Sequence, residues 1–578
     1  MTEEEEWQRG ILFKRAGKTT GKYKDFWNVK DPNSGHISVK NMGEFDYLMK
    51  LPEPEEENLT YAVNVPRWRH GESVCIAAKQ KELENFDIND VYEEVEDCGQ
   101  KRIGTNWVVT EKIIDGRKEM KARLTARGDQ ESDADIRTDS PTVRKINTKI
   151  LLVTAAMKNW TVKTSDVTAA FLQGAETTRD IFVLPPKERR IPGVLWKLKT
   201  SIYGLCDASR GWYQELKEAI VHLGGKTSHL DPAMFRFYKG EEENDENLMG
   251  IIVSHVDDLL HTGSPEFEEQ VIKPLKQMFK FGSEEETEFR YIGMNVKQSE
   301  EGITVDQDHY LSGLEIPKLD DSVNSDEILN SEGQTQFRGI AGKLNHISSN
   351  GRPDLSFETK SLSTKLGKAT KQDLKVAIKK LNKVNEHSSL MSFPNLEDIN
   401  DWVLIGHGDA GIRSLPDKSS SVGGSVVILC NRMTKRCATL SWRSKKLVRK
   451  VVSAMAGEAL AMNDAIGEVS YVKAILRQVF GSDIDSIPVI IATDSNNLEK
   501  SIHSSSLVDD GRLVPDIAII KEAVEQGVVN EIRLVKGEQM LGNCLTKQGA
   551  SGQDLMEVLR TGRYELPGGF EIKRKDVS

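Results

Sequence analysis

Two aspartates stand side by side in Met249-Gly-Ile-Ile-Val-Ser-His-Val-Asp-Asp-Leu-Leu-His-Thr-Gly263, where they interrupt an apolar, β-prone run. Ile251, Ile252, Val253 and Val256 lead in and Leu259, Leu260 and Thr262 lead out, which predicts a tight hairpin with Asp257 and Asp258 at the turn. Adjacent carboxylates repel, so one is driven towards its protonated form unless a cation is held between them. A pair presented on a rigid turn therefore suits a divalent metal, and the ordinary alternative is a solvated turn, where Asp is common. A third acid stands in Trp160-Thr-Val-Lys-Thr-Ser-Asp-Val-Thr-Ala-Ala-Phe-Leu-Gln-Gly174, a strand-like approach to Asp166 followed by small residues and Phe171. If that strand neighbours the hairpin, Asp166, Asp257 and Asp258 converge, enough to hold two Mg²⁺ ions about 4 Å apart for in-line phosphoryl chemistry.

Cations precede these acids. Trp107 to Thr110, Ile113-Ile114 and Lys118 to Gly128 read as strands joined at Asp115-Gly116, and Lys121, Arg123 and Arg127 alternate along the last of them. Three cations facing one way suit a triphosphate or template phosphates. A solvent-facing strand accounts for the same spacing. A second run of acids begins after Asn400. Trp402 to Asp409 reads as a strand ending on an acid, Ser425 to Cys430 and Ala438 to Trp442 as further strands, and Val452 to Phe480 as a long helix carrying Glu458. Val489 to Asp494 is another strand ending on an acid, completing the element order of an RNase H-like fold.

The runs Ser165-Asp-Val-Thr-Ala-Ala-Phe-Leu-Gln-Gly174, Ser201-Ile-Tyr-Gly-Leu-Cys-Asp-Ala-Ser-Arg-Gly-Trp-Tyr213 and His255-Val-Asp-Asp258, in that order, resemble the reverse transcriptase of copia-type LTR retrotransposons. Phe289 to Val296 and Arg352-Pro-Asp354 resemble further motifs of that family, and Ser441-Trp-Arg-Ser-Lys-Lys446 with the later acids resembles its RNase H domain. The resemblance covers roughly residues 75 to 547. It implies an RNA-directed DNA polymerase linked to a ribonuclease of RNA:DNA hybrids, acting on an RNA template, a DNA primer and deoxynucleoside triphosphates. Asp166, Asp257 and Asp258 would be the polymerase metal ligands, and Asp409, Glu458 and Asp494 those of the RNase H domain, with two Mg²⁺, or Mn²⁺ in its place, at each centre. Lys121 and Arg123, with Arg127 beside them, would contact the triphosphate, Phe171 would stand under the sugar, and Gly204 would let backbone approach the template base pair.

Departures accompany the matches. His255 replaces a usual aromatic, Cys206, Asp207 and Ser209 replace Lys, Gln and Pro, and Asn543 stands where the family has a fourth RNase H acid. These changes leave the polymerase carboxylates intact. They also leave room for a rival: a degenerate, retrotransposon-derived nucleic-acid-binding protein with reduced or no RNase H activity.

The elements that must position these residues follow from pattern. The expected class is α+β and α/β: a right-hand polymerase of fingers, palm and helical thumb or connection, followed by an RNase H-like domain. The expected divisions are an acidic, loosely ordered segment over 1–72, fingers and palm over 73–300, thumb and connection over 301–398, the RNase H-like domain over 399–550 and a tail over 551–578. Helices are expected over Ser73 to Asn89, Val143 to Met157, Ala208 to Leu223 with Asp207 as cap, Glu266 to Phe279, and within Gly333 to Ser388. A length of 578 residues calls for several cores.

Net charge is −11, with 78 basic and 89 acidic side chains, which alone argues against a nucleic-acid protein. Much of the acid lies in runs such as Glu3 to Glu6 and Glu284 to Glu286, whereas Arg432, Lys435, Arg436, Arg443, Lys445, Lys446, Arg449 and Lys450 form a stretch without acids. That stretch suits a phosphate-contacting ridge or a merely solvated basic face. Six scattered cysteines show neither CxxC spacing nor a disulfide framework. No apolar run is long enough to span a membrane, and the acidic start Met1-Thr-Glu-Glu-Glu-Glu-Trp7 lacks a signal-peptide pattern. The expected location is the cytoplasm, in a virus-like particle, or the nucleus, without secretion.

Overall fold

The computed structural model describes residues 62–572 except 115–116, 132–135, 319–324, 385–388, 505–507 and 509, together with the backbones of three earlier strands. Those strands, Ile11–Arg15, Phe26–Lys30 and Ile37–Asn41, pair antiparallel in that order within a segment expected to be loosely ordered. The rest of that segment up to residue 61, and the expected Asp115-Gly116 turn, lie outside the described residues. Residues 62–72 shift the expected boundary. Ala62–Asn64 pairs with the strand Thr105–Ile114, which neighbours Arg117–Ala126, so this stretch is part of the fingers.

The fingers combine that sheet with helix Ser73–Ile88, whose Leu83 and Phe86 share a core with Leu124 and Trp196. Beside it a four-stranded sheet runs in the order Tyr92–Glu96, Val194–Leu198, Phe182–Val183, Arg102–Ile103. The palm sheet has five strands ordered Met234–Tyr238, Leu248–His255, Asp258–Gly263, Val162–Val167, Phe281–Glu286. The hairpin and the Asp166 strand are therefore direct neighbours, as the convergence of their acids requires. Gly250 and Gly263 face each other across the hairpin, and a side-chain carbon on either would run into the ring of Phe267. The two glycines thus seat the short helical segment Pro265–Phe267 directly on the hairpin's base.

The expected boundary at residue 300 cuts through a sheet. Glu288–Tyr291, Met294–Ser299, Gly302–Asp306 and Met391–Pro394 pair in that order, so strands on both sides of the helical thumb close one sheet. Between them lie helices Ser331–Asn350, Ser356–Ser363 and Lys371–Asn382. Phe337, Ile340, Leu344 and Ile347 repeat at helical spacing and bury against Ile378 and Leu381.

The RNase H-like sheet has the order Cys437–Lys446, Val422–Asn431, Trp402–Gly411, Val489–Thr493, Glu531–Leu534. The first three strands are antiparallel and the last two join in parallel. Helix Ala454–Phe480 lies on this sheet. Gly406 and Gly408 make that approach possible, because a carbon on Gly408 would stand 3.0 Å from the helix backbone at Ala461. The expected tail after 550 is a correction. Helix Gln553–Thr561 buries Leu555, Val558 and Leu559, Tyr564 and Leu566 extend the same core, and Arg533 donates to the carbonyls of Pro567, Gly569 and Glu571. No helix among the described residues is long and apolar enough to cross a membrane.

Candidate active sites

The turn of the palm hairpin is Val256-Asp257, one residue earlier than expected. His255 pairs with Asp258, and Asp258 opens the return strand directly opposite Asp166. Val256 has φ +62°, a left-handed conformation that costs a β-branched residue about 1–3 kcal/mol. Two hydrogen bonds hold it there. The indole Nε1 of the buried Trp212 donates to the Val256 carbonyl at 2.8 Å, and the Val167 N–H donates to the Asp257 carbonyl at 3.1 Å. The helix that brings Trp212, Ala208–His222, lacks the expected cap: Asp207 makes no capping bond and pairs instead with Arg179 at 2.6 Å.

Asp166 and Asp257 share the wall of a cavity of about 220 Å³ with Lys121, Arg123, Glu82, Ala169 and Tyr203. Arg123 lies 5.1 Å over the Tyr203 ring, and its buried Nε has no hydrogen-bond partner. Burial pushes the Tyr203 hydroxyl up to about 12 and raises Glu82 as well. Asp258 is outside this lining, and its charge acts on the buried Tyr291 hydroxyl.

Three other expected contacts are placed differently. Arg127 follows the end of the strand Arg117–Ala126 and binds Asp129 through both its Nε and a terminal nitrogen, so the alternating row stops at Arg123. Phe171 does not line the cavity; its ring packs 4.8 Å from that of Tyr203, which does. Gly204 has φ +92°, and the room its missing side chain leaves is taken by the Ala126 carbonyl, which ties fingers to palm.

In the RNase H-like unit, Asp409, Glu458 and Asp494 each offer an oxygen within 4.8 Å of the others. Asp409 stands wholly buried in the strand Trp402–Gly411, which runs two residues past the expected end, while Glu458 enters from the first turns of the helix. Burial, then the charges of Asp409 and Asp494, push the Glu458 carboxyl up to about 8, and burial and Asp409 raise Asp494. Glu458 Oε2 is buried with no partner. Crowded acids with an orphaned oxygen fit a divalent cation, which all three would hold. Asn543 lies beside this cluster but faces Lys547, and neither Glu538 nor Asp554 joins it. Lys547 and Thr546, which bind Asp409, and Trp212 were not singled out by the sequence pattern.

The basic stretch over 432–450 pairs within its own domain. Arg436 meets Glu397 at 2.9 Å, Lys435 meets Glu565 at 2.5 Å and Lys445 meets Asp464 at 3.5 Å, while Arg443 and Arg449 bind Glu468 and Asp516. The structure therefore favours a solvated, internally balanced face over a phosphate ridge.

Residues 89–321 match the family described as reverse transcriptase (RNA-dependent DNA polymerase). This region is similar to the reverse transcriptases of copia-type retrotransposons. The Pol polyprotein of transposon RE1 from Arabidopsis thaliana is 27% identical over 477 residues, which cover 77% of this chain and 30% of that protein. The Pol polyprotein of transposon TNT 1-94 from Nicotiana tabacum is 28% identical over 227 residues, covering 38% of this chain and 16% of that one. The chain thus spans less than a third of the length of the curated relatives it matches. Among solved structures, a foamy viral protease-reverse transcriptase with double-stranded DNA covers 87% of this chain and 79% of its own, at 10% identity and TM-score 0.23. The LC11 RNase H1 covers 26% of this chain and 98% of its own, at 18% identity and TM-score 0.20.

Proposed function

We propose that this chain copies RNA into DNA and carries a linked, weakened RNase H activity. The observation that carries the reading is the single cavity in which Asp166 and Asp257 face Lys121 and the unpartnered donor of Arg123. Acids on one side and cations on the other suit a metal-bound triphosphate. Asp166, Asp257 and Asp258 would hold Mg²⁺, which when bound supplies the charge that activates a primer 3′-hydroxyl and balances the departing pyrophosphate. Arg123, stacked on Tyr203, presents its donors to phosphate oxygens, and Lys121 adds a second positive charge. Trp212 and Val167 keep Asp257 from drifting by fixing the turn on both sides. Phe171 supports Tyr203 and through it borders the sugar position.

In the second unit, Asp409, Glu458 and Asp494 would hold the cation that serves hybrid cleavage. The missing acid at position 543 supports a reduced activity there, in line with the rival of a partly decayed element. The partners of this reading are an RNA template, a DNA primer, their hybrid and deoxynucleoside triphosphates, at the cytoplasmic or nuclear location that the sequence suggests. Purified protein should extend a DNA primer on an RNA template in Mg²⁺ and cleave hybrid slowly. Absence of extension at any Mg²⁺ or Mn²⁺ concentration would leave the nucleic-acid-binding rival standing.

A further inference from the structure

One short turn brings a lysine into the second acidic cluster. Lys547 Nζ lies 3.2 Å from Asp409 Oδ1 and 2.6 Å from Asn543 Oδ1. The Thr546 hydroxyl donates to the other oxygen of Asp409, so both oxygens of this wholly buried acid are bound by residues of the same turn. Asn543 is itself held, because its amide nitrogen donates to the Gly537 carbonyl, and that leaves its oxygen facing the ammonium. An amide in this position orients a lysine without adding charge. Across the cluster, Glu458 Oε2 remains buried and unpartnered.

Charge decides how many ions such a centre takes. Three carboxylates less one ammonium leave two negative charges, which match one divalent ion and fall well short of two. We propose that Lys547 is the resident cation of the RNase H-like centre: it replaces one divalent ion beside Asp409, so that Asp409, Glu458 and Asp494 together bind a single divalent ion. Asn543 is then a positioning residue that aims the ammonium, not merely a lost ligand. This inference rests on reading the cluster as a metal centre.

The test counts ions in the full-length chain carrying Asp166→Asn and Asp257→Asn, which silence the polymerase centre. Free Mn²⁺ is followed by electron paramagnetic resonance during titration, and thermal unfolding is recorded with and without chelator. The parent should bind one Mn²⁺ that Asp409→Asn abolishes. Lys547→Met should bind the first ion at least about tenfold more tightly and take up a second. In chelator its melting temperature should fall, and Mn²⁺ should restore it. Lys547→Arg, which keeps the charge, should match the parent in stoichiometry. Two ions in the parent, or an Lys547→Met protein with unchanged count and affinity, would overturn the lysine's role while leaving the metal centre in place. No Asp409-dependent Mn²⁺ in any variant would overturn the metal-centre reading and the inference with it.

Discussion

Asp257 and Asp258 are adjacent in the chain, yet one lines the cavity with Lys121 and Arg123 while the other opens a strand opposite Asp166 and acts on Tyr291. Replacing both by Asn should abolish primer extension and leave hybrid cleavage measurable, because Asp409, Glu458 and Asp494 belong to another sheet. Parallel assays of the two activities on one preparation check this, and extension by the double variant would remove the polymerase assignment. Glu458 yields a prediction in pH. Its folded carboxyl is raised to about 8 from an ordinary 4.5, so between these values the folded state holds a proton that the unfolded state has released. Metal-free stability should therefore fall as pH rises through that window, and the slope should be shallower in Glu458→Gln, where the raised Asp494 carboxyl still contributes. Melting temperatures in chelator from pH 5 to 8 measure it. A slope equal in parent and variant would show that the carboxyl titrates normally.

The elements were largely legible in the sequence, because helix and strand periods survive in Ser73–Ile88, Lys145–Lys158, Ala208–His222 and Ala454–Phe480, each within about two residues of its expected bounds. Asp166 and Asp494 at strand ends were legible for the same reason, whereas the strand carrying Asp409 runs on to Gly411. Hidden were the partners. Nothing local in Arg436 or Arg449 announces Glu397 or Asp516, so a balanced face looked like a ridge. Trp212 stood in the sequence only as one residue of a quoted motif. The Trp212 indole nevertheless holds the turn that carries Asp257, and Trp212→Phe would leave the Val256 carbonyl without its donor at a cost of about 1–3 kcal/mol. The expected result is slower extension with hybrid cleavage unchanged, followed by single-turnover incorporation. Equal loss of both activities would mean that Trp212 serves the fold at large.

Palm, thumb and RNase H-like sheet meet at Trp442. Lys149 of the palm helix lies 3.7 Å from the Trp442 ring, the indole donates to Ser348 of the thumb at 2.9 Å, and Asn147 reaches Tyr471 at 2.9 Å. One continuous core runs from Ile150 and Val253 to Val426 and Val472, so the two acidic clusters are carried by one body. Unfolding of residues 62–572 should accordingly be a single calorimetric transition, which Trp442→Ala, costing about 3–5 kcal/mol, should split in two. A single transition in that variant would show that the joint does not depend on this side chain.

His407, buried in the central RNase H-like strand, shares a hydrogen bond with the Tyr564 hydroxyl, 157 positions later in the chain. During synthesis at 5–20 residues per second, that strand waits roughly 8–30 s for the residue that completes its surroundings. For that interval the nascent chain holds a finished palm beside an unclosed apolar sheet, and the later half of the molecule is the one that depends on being kept from aggregation until its last partner arrives.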